Sequence, residues 1–306
     1  MKVGIIIVTF NSQKDIVRLL ESIVVQQYKD FIVYLVDNNS KDQTLNIVQK
    51  YIAKITICII PTMTNNGFAK GNNIGIQRAM DEGCDYVFIL NPDMQLGNEC
   101  VDILIDRINS DEKIAVIGPI VLLGNNQDNI IQFYGVEANF KTQKKTILYA
   151  GRKLTNEIRA EIYVGYVLGG AMMMRCSVLK ITGLFEEDYF MYNDEIDIAN
   201  RINKAGFKTL CLRDAVVRHY HDFDINNQKG YNLMYYYMMR NKFLYFKKFH
   251  LLTYLVFSII KEIANLPLKA RWAIIRMKNV RLIKYYYSGL FDGLLGKKGI
   301  ANKSFD

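Results

Sequence analysis

The chain has 306 residues, half of them hydrophobic, only four prolines and a net charge of +9. That composition supports a sizeable core and excludes a disordered or collagen-like chain. Five cysteines, Cys58, Cys84, Cys100, Cys176 and Cys211, are scattered and odd in number, with no CxxC pair; they exclude a zinc-ribbon or disulfide framework and fit small core residues in a reducing compartment.

Val3–Phe10 (VGIIIVTF) reads as a buried first strand that stops at Asn11-Ser12. Met1 runs into it with no secretory pattern, so a cytoplasmic protein is expected. Ile16, Leu19, Leu20, Ile23 and Val24 follow at helical spacing. Phe31–Val36 is a second strand ending at Asp37. Ser40 and Gln43 form a capping-box pattern, so a helix is expected from there to Tyr51. Thr56–Ile60 is a third strand. The glycine-rich stretch 65–75 precedes a helix reaching Glu82. Tyr86–Leu90 is an unbroken apolar run, the mark of a strand buried on both faces, and it ends in Asn91-Pro92-Asp93. A helix at 98–109 and a strand at 114–117 complete an alternation that implies a mostly parallel sheet.

From Pro119 to Tyr163 the pattern loosens into hairpins or a loop. Beyond Gly169-Gly170 and the apolar Ala171–Met174, acidic residues cluster from Glu186 to Asp197. A helix through Ile198 and Ile202 ends at Gly206, and two short strands, Lys208–Arg213 and Ala215–Val217, run into His219-Tyr220-His221. The basic charge lies in the tail: residues 229–306 hold 15 Lys+Arg against 3 Asp+Glu. The tail is rich in tyrosine, and Phe249–Ile260 is nearly all apolar but too short to span a bilayer. It reads as an interfacial helix on an anionic membrane surface, or as a packing helix or oligomer contact. Two domains are therefore expected, 1–228 and a basic helical tail, 229–306.

Three strand ends converge on one edge of such a sheet, where ligands of open α/β sheets bind. They carry Thr9-Phe10-Asn11, Asp37, and Asn91 with Asp93. Asp93 beside an amide suits a hard divalent cation that also touches a phosphate, although Asn-Pro-Asp is equally a good turn. Asp37 can accept from a base N–H and Phe10 can flank a base. Asn66, Gly67 and the following glycines allow close backbone approach at a helix start, but match neither GxGxxG nor the P-loop. Asp194, Glu195 and Asp197 fit the acidic first turn of a helix, complementing its dipole.

Taken together, VTFNS, VDNNSKDQT, NNGFAKGNNIGI, ILNPD and LGGAMMM…GLFEEDYFMYNDEIDIANRINKAGF occur in an order that resembles glycosyltransferase family 2, in its rhamnosyltransferase-like branch. The resemblance covers residues 1–225, and GLFDGLLGKKG in the tail is similar to the same branch. It implies a GT-A fold with a C-terminal helical extension, and a nucleotide-diphosphate sugar donor, dTDP- or UDP-linked, carrying rhamnose or galactofuranose. It implies a divalent metal, Mg²⁺ or Mn²⁺, held at Asp93, with Asn91 assisting and His219, then His221, as a further ligand. The nucleotide pocket maps onto Thr9, Phe10, Asn11, Asp37, Asn66, Gly67 and Asn72, and the base onto Glu195 with Asp194 in reserve. The expected reaction is inverting transfer to a lipid-linked saccharide in bacterial surface-polysaccharide synthesis, at the inner face of the membrane. A sugar nucleotidyltransferase, or a nucleic-acid or anionic-surface binder acting through the tail, are the competing classes. The first would carry a lysine-bearing glycine loop after the first strand; the tail lacks a nucleic-acid module, so no nucleic acid is expected.

Overall fold

The computed structural model describes residues 1–220 and 227–306. The chain opens β1 (Val3–Thr9), α1 (Ile16–Val24), β2 (Phe31–Asp37), α2 (Thr44–Gln49), β3 (Ile57–Pro61), α3 (Gly67–Asp81), β4 (Tyr86–Leu90), β5 (Met94–Leu96), α4 (Cys100–Asn109) and β6 (Ile114–Leu123). Short strands follow: β7 (Ile131–Phe133), β8 (Val136–Asn139), β9 (Lys144–Ile147) and β10 (Glu161–Val164). Then come β11 (Ala171–Arg175), α5 (Cys176–Thr182), α6 (Asp194–Lys204) and β12 (Lys208–His219). Four helices close the chain: α7 (Gln228–Lys248), α8 (Leu252–Ala264), α9 (Leu266–Ile275) and α10 (Arg281–Leu294).

The main sheet is ordered β10-β12-β6-β11-β4-β1-β2-β3, with β5 on β12 and β7 on β6. Along that path β3, β2, β1, β4, β6 and β12 run one way, and β11 and β10 run against them. The fold is thus mixed α/β with a mostly parallel centre. The all-apolar runs of β1 and β4 make the middle of the sheet, and every residue of β4 is buried. On α1 the buried residues Ile16, Leu19, Leu20 and Ile23 fall on one face, as their spacing requires. Reversed β11 fits between β4 and β6 and so delivers its leading residues, Gly169-Gly170, to the carboxyl end of β4.

Several expectations need correction. Ser40 and Gln43 form no capping box. Ser40 Oγ instead accepts from Asn11 N–H at 2.9 Å, and Asp42 accepts from Thr44 N–H at the helix start. The glycine-rich stretch is not a loop, because α3 already begins at Gly67. A Cβ on Gly71 would sit 2.8 Å from Val8, and one on Gly75 would sit 2.7 Å from Ile6, so both glycines serve to lay α3 close on the sheet. β6 continues through Pro119, which lies opposite Leu212 where the β6–β12 register slips. That same slip, between Leu212 and Val216, made one long strand, β12, look like two.

The structure divides into two compact units. One takes Met1–Ala138, Lys144–Glu186 and the chain from Glu195 through β12; the other takes Asn139–Gln143, Glu187–Asp194 and the C-terminal helices. Within the second unit, Phe190, Tyr236, Tyr237, Tyr285 and Phe305 form a core. Tail tyrosines Tyr236, Tyr237, Tyr245 and Tyr285 are therefore buried side chains, not headgroup-level ones. Fully buried Arg240 donates to the carbonyls of Tyr189 and Gly299 and stacks on Tyr237, its guanidinium 4.6 Å from the ring centre.

Candidate active site

The carboxyl ends of β1, β2 and β4 form one edge of the first unit. Thr9 and Asp37 are register partners there, and Thr9 Oγ1 donates to Asp37 Oδ1 at 3.0 Å. Asp37 Oδ2 accepts from Ser40 N–H at 3.0 Å. An ionised carboxylate offers about four acceptor positions, so these bonds leave capacity for a ligand N–H. Asn11 adopts φ 53° and its Oδ1 accepts from Lys41 N–H at 2.8 Å, locking the β1 and β2 loops together. Phe10, beside them, stays 49% exposed.

Asn38 Nδ2 donates to Gly67 O at 3.0 Å and so ties the β2 end to the start of α3. Asn66 is the N-cap residue of α3. Asn72 lies one turn on. It is buried, its Nδ2 donates to Phe68 O, and its Oδ1 has no partner among the described residues. A buried acceptor left this way costs free energy that a bound donor group would recover.

Asp93 and His219 meet at the end of β12, where Nε2 and Oδ2 are 3.2 Å apart. Both side chains are largely but not wholly buried, 14% exposed for His219 and 23% for Asp93. His219 Nδ1 lies 2.8 Å from Gln132 Oε1 on β7. With that oxygen as acceptor, Nδ1 carries a proton and Nε2 is the ring atom that faces the carboxylate. A carboxylate and an imidazole so placed could hold a divalent ion. His221 lies outside the described residues.

Glu195 is partly exposed at the start of α6, whereas Asp194 is 1% exposed. A Cβ on Gly169 would lie 2.7 Å from Glu195 Oε1, and one on Gly170 would lie 2.6 Å from Asn91 Nδ2. The two consecutive glycines thus leave room for Glu195 and for Asn91, whose N–H donates to Gly170 O at 2.9 Å. Asn73 is spent on structure: its side chain pairs with both backbone groups of Phe185.

Two residues escaped the sequence reading. Gln132 sits in the weakly patterned stretch on a three-residue strand, with no local motif to reveal it. Arg18 stacks 3.7 Å over Tyr220, whose N–H donates to Asp93 O at 2.9 Å; in the sequence it is one more charged residue on a helix. A cavity of about 400 Å³, bordered by Tyr163, Asn203 and Lys208, lies at the opposite end of β12 and shares none of these residues.

This sheet, with its reversed strand and its loops gathered at the β4 end, is the GT-A fold of glycosyltransferases, and the chain is an enzyme of glycosyl transfer. Residues 4–181 match the family model described as glycosyl transferase family 2, and the chain belongs to that family. It is 27% identical over 236 residues to an N-acetylglucosaminyl-diphospho-decaprenol L-rhamnosyltransferase of Mycobacterium tuberculosis, covering 71% of this chain and 75% of the relative. It is 22% identical to the dTDP-rhamnosyl transferase RfbF of Shigella flexneri, over 96% of each. Among solved structures it is similar to the mannosyltransferase PcManGT from Pyrobaculum calidifontis in complex with GDP-Man and Mn²⁺. There the TM-score is 0.59 at 13% identity, covering 97% of this chain and 88% of that one.

Proposed function

We propose that this glycosyltransferase is a metal-dependent, inverting enzyme that moves rhamnose, or galactofuranose, from a dTDP- or UDP-linked donor to a lipid-linked saccharide. The setting is bacterial surface-polysaccharide assembly at the inner face of the membrane. The observation that carries this reading is the Asp93–His219 pair, with Glu195 packed against Gly169, next to the Gly170 whose carbonyl accepts from Asn91 N–H. The names of the mycobacterial and Shigella relatives, a lipid-diphosphate acceptor in one and a dTDP-rhamnosyl donor in the other, support the substrate classes. Donor binding and catalysis are assigned to 1–228, and surface contact to 229–306.

Asp93 and His219 would hold Mg²⁺ or Mn²⁺, with Asn91 assisting. When bound, the ion supplies a Lewis acid for the charge that gathers on the departing diphosphate. Phe10 flanks the nucleobase and Asp37 accepts from its N–H, with Thr9 keeping Asp37 in place. Asn11, Asn66, Gly67 and Asn72 border the ribose and phosphates. Glu195 takes the proton of the acceptor hydroxyl as its oxygen bonds to the anomeric carbon and the bond to the diphosphate oxygen breaks. With the base on one face of that carbon and the leaving group on the other, a single displacement inverts its configuration.

The test is a thermal-shift and product screen of nucleotide sugars with Mn²⁺ or Mg²⁺ and a prenyl-diphosphate saccharide acceptor. The expected result is donor stabilisation that requires the ion, and release of the nucleoside diphosphate only when acceptor is present. Pyrophosphate release, or transfer that survives metal removal with chelator, would overturn it.

A further inference from the structure

In the second unit, α8 is built inside out. Its buried residues are Leu255, Ser258 and Glu262, while Leu252, Val256, Ile260 and Ile263 are exposed. Those four recur at intervals of four, four and three, so they share one helix face, turned away from the buried one. Glu262, only 4% exposed, accepts from Lys242 at 3.1 Å, from Tyr286 at 2.7 Å and from Lys269. α9 continues the theme: it buries only Ala273 and leaves Leu268 and Ile275 exposed. From Leu252 to Arg281 the sequence holds six Lys or Arg and one acid. That acid is Glu262, already inside, so the outer surface carries apolar side chains and cations but no carboxylate.

We propose that the outer face of α8 and α9 inserts into the headgroup–acyl boundary of an anionic bilayer. The inference deepens the surface-contact assignment of the tail and does not depend on the donor chemistry. Charge decides the occupant. A second copy docked through the same patch would set cation against cation, because a two-fold interface repeats each patch on itself. Anionic headgroups match the lysines and arginines while the acyl region takes the aliphatic side chains. No helix among the described residues is long and apolar enough to cross a membrane, so the face lies on the bilayer. Trp272, the only tryptophan of the chain, sits on α9, 38% exposed and edge-on to Tyr235, a position suited to the interface.

Trp272 also makes the test direct. The full chain is mixed with vesicles of phosphatidylcholine alone or with phosphatidylglycerol, some carrying brominated acyl chains. Sedimentation and tryptophan emission are then read together. The expected result is sedimentation with anionic vesicles that weakens with salt, a blue shift, and quenching by bromines near the headgroup end of the chain. Ile260→Glu with Ile263→Glu is expected to lower vesicle affinity by about tenfold or more, with unchanged circular dichroism and unchanged calorimetric donor binding. Sedimentation with unquenched Trp272 would overturn the α8–α9 face while leaving the tail as the membrane contact. No sedimentation with anionic vesicles would overturn both, and so would a dimer that Ile260→Glu dissociates in the absence of vesicle binding. Donor binding measured in the same samples reports separately on the enzymatic reading.

Discussion

His219 is held from both sides of its ring, by Gln132 Oε1 at 2.8 Å from Nδ1 and by Asp93 Oδ2 at 3.2 Å from Nε2. In the proposed function the first contact orients the ring and the second is where the cation would be held. Replacing Gln132 with Leu keeps the volume and removes the acceptor. The expected outcome is a loss of about 10- to 100-fold in Mn²⁺ affinity, the usual effect of removing a partner that orients a metal-binding histidine. Calorimetric titration of Mn²⁺ in the presence of nucleoside diphosphate measures it, with Asp93→Asn and His219→Ala expected to lose more.

Glu195→Gln removes the proposed proton acceptor without changing shape. Transfer should fall by about 10²- to 10⁴-fold, while donor binding by calorimetry is retained. Gly169→Ala approaches the same site from the backbone. Its methyl would fall 2.7 Å from Glu195 Oε1 and must displace the carboxylate, so kcat should drop with little change in the thermal midpoint.

Asp292, on α10 and buried, accepts from Tyr236 Oη at 2.8 Å and pairs with Lys297 at 2.8 Å and with Lys303. Burial alone would raise its carboxyl; hydrogen bonds from Lys297, Lys303 and Tyr236 instead bring it from 3.8 down to about 2. The folded value is below the unfolded one, so this stabilisation is complete above pH 3.8 and fades as pH falls toward about 2. Asp292→Asn should cost about 1–3 kcal/mol near neutrality. The gap in thermal midpoint from the parent protein should narrow between pH 4 and 2, as read by calorimetry across that range.

Asn241 Nδ2 donates to the carbonyls of Tyr189, Met191 and Tyr192 at 3.0, 2.7 and 2.9 Å. That segment holds Phe190, Tyr192 and Asn193 at φ 66°, 64° and 69°, each in the left-handed region that side chains disfavour by about 1–2 kcal/mol. Asn241→Ala is expected to lower stability by about 2 kcal/mol in urea unfolding. Asn193→Gly relieves the strain but removes the buried hydrogen bond that Nδ2 donates to Gln143 Oε1 at 3.1 Å, so it should be destabilising by less than Asn241→Ala.

Much of the architecture was legible because apolar runs need burial on both faces, and β1 and β4 announce themselves that way. α3 was misread at its start because Gly, Asn and Asn are poor helix formers, and here tertiary packing overrides local preference. The glycines that suggested phosphate approach are what let the helix lie on Val8 and Ile6. β6 was cut short at Pro119 because proline cannot donate to a ladder, and the register slip on β12 is how the sheet tolerates it.

The candidate site was partly legible for a different reason. Residues at strand ends are placed by topology, so Thr9, Asp37, Asn91 and Asp93 could be grouped without coordinates. Gln132 could not: it is 87 positions from His219 on a strand too short to show periodicity. The service of Gly169-Gly170 to Glu195 depends on β11 running backwards between two parallel neighbours, which no local pattern specifies.

The inward position of Glu262 also fixes where this protein can be divided. A chain ended after α7 would lose that carboxylate and, with α10, the Asp292 that accepts from Tyr236 and the Tyr285 that packs beside Tyr236 and Tyr237. The outer helices thus shelter the aromatic side chains of the helix they cover, and trimming them to gain solubility would trade one oily exterior for another.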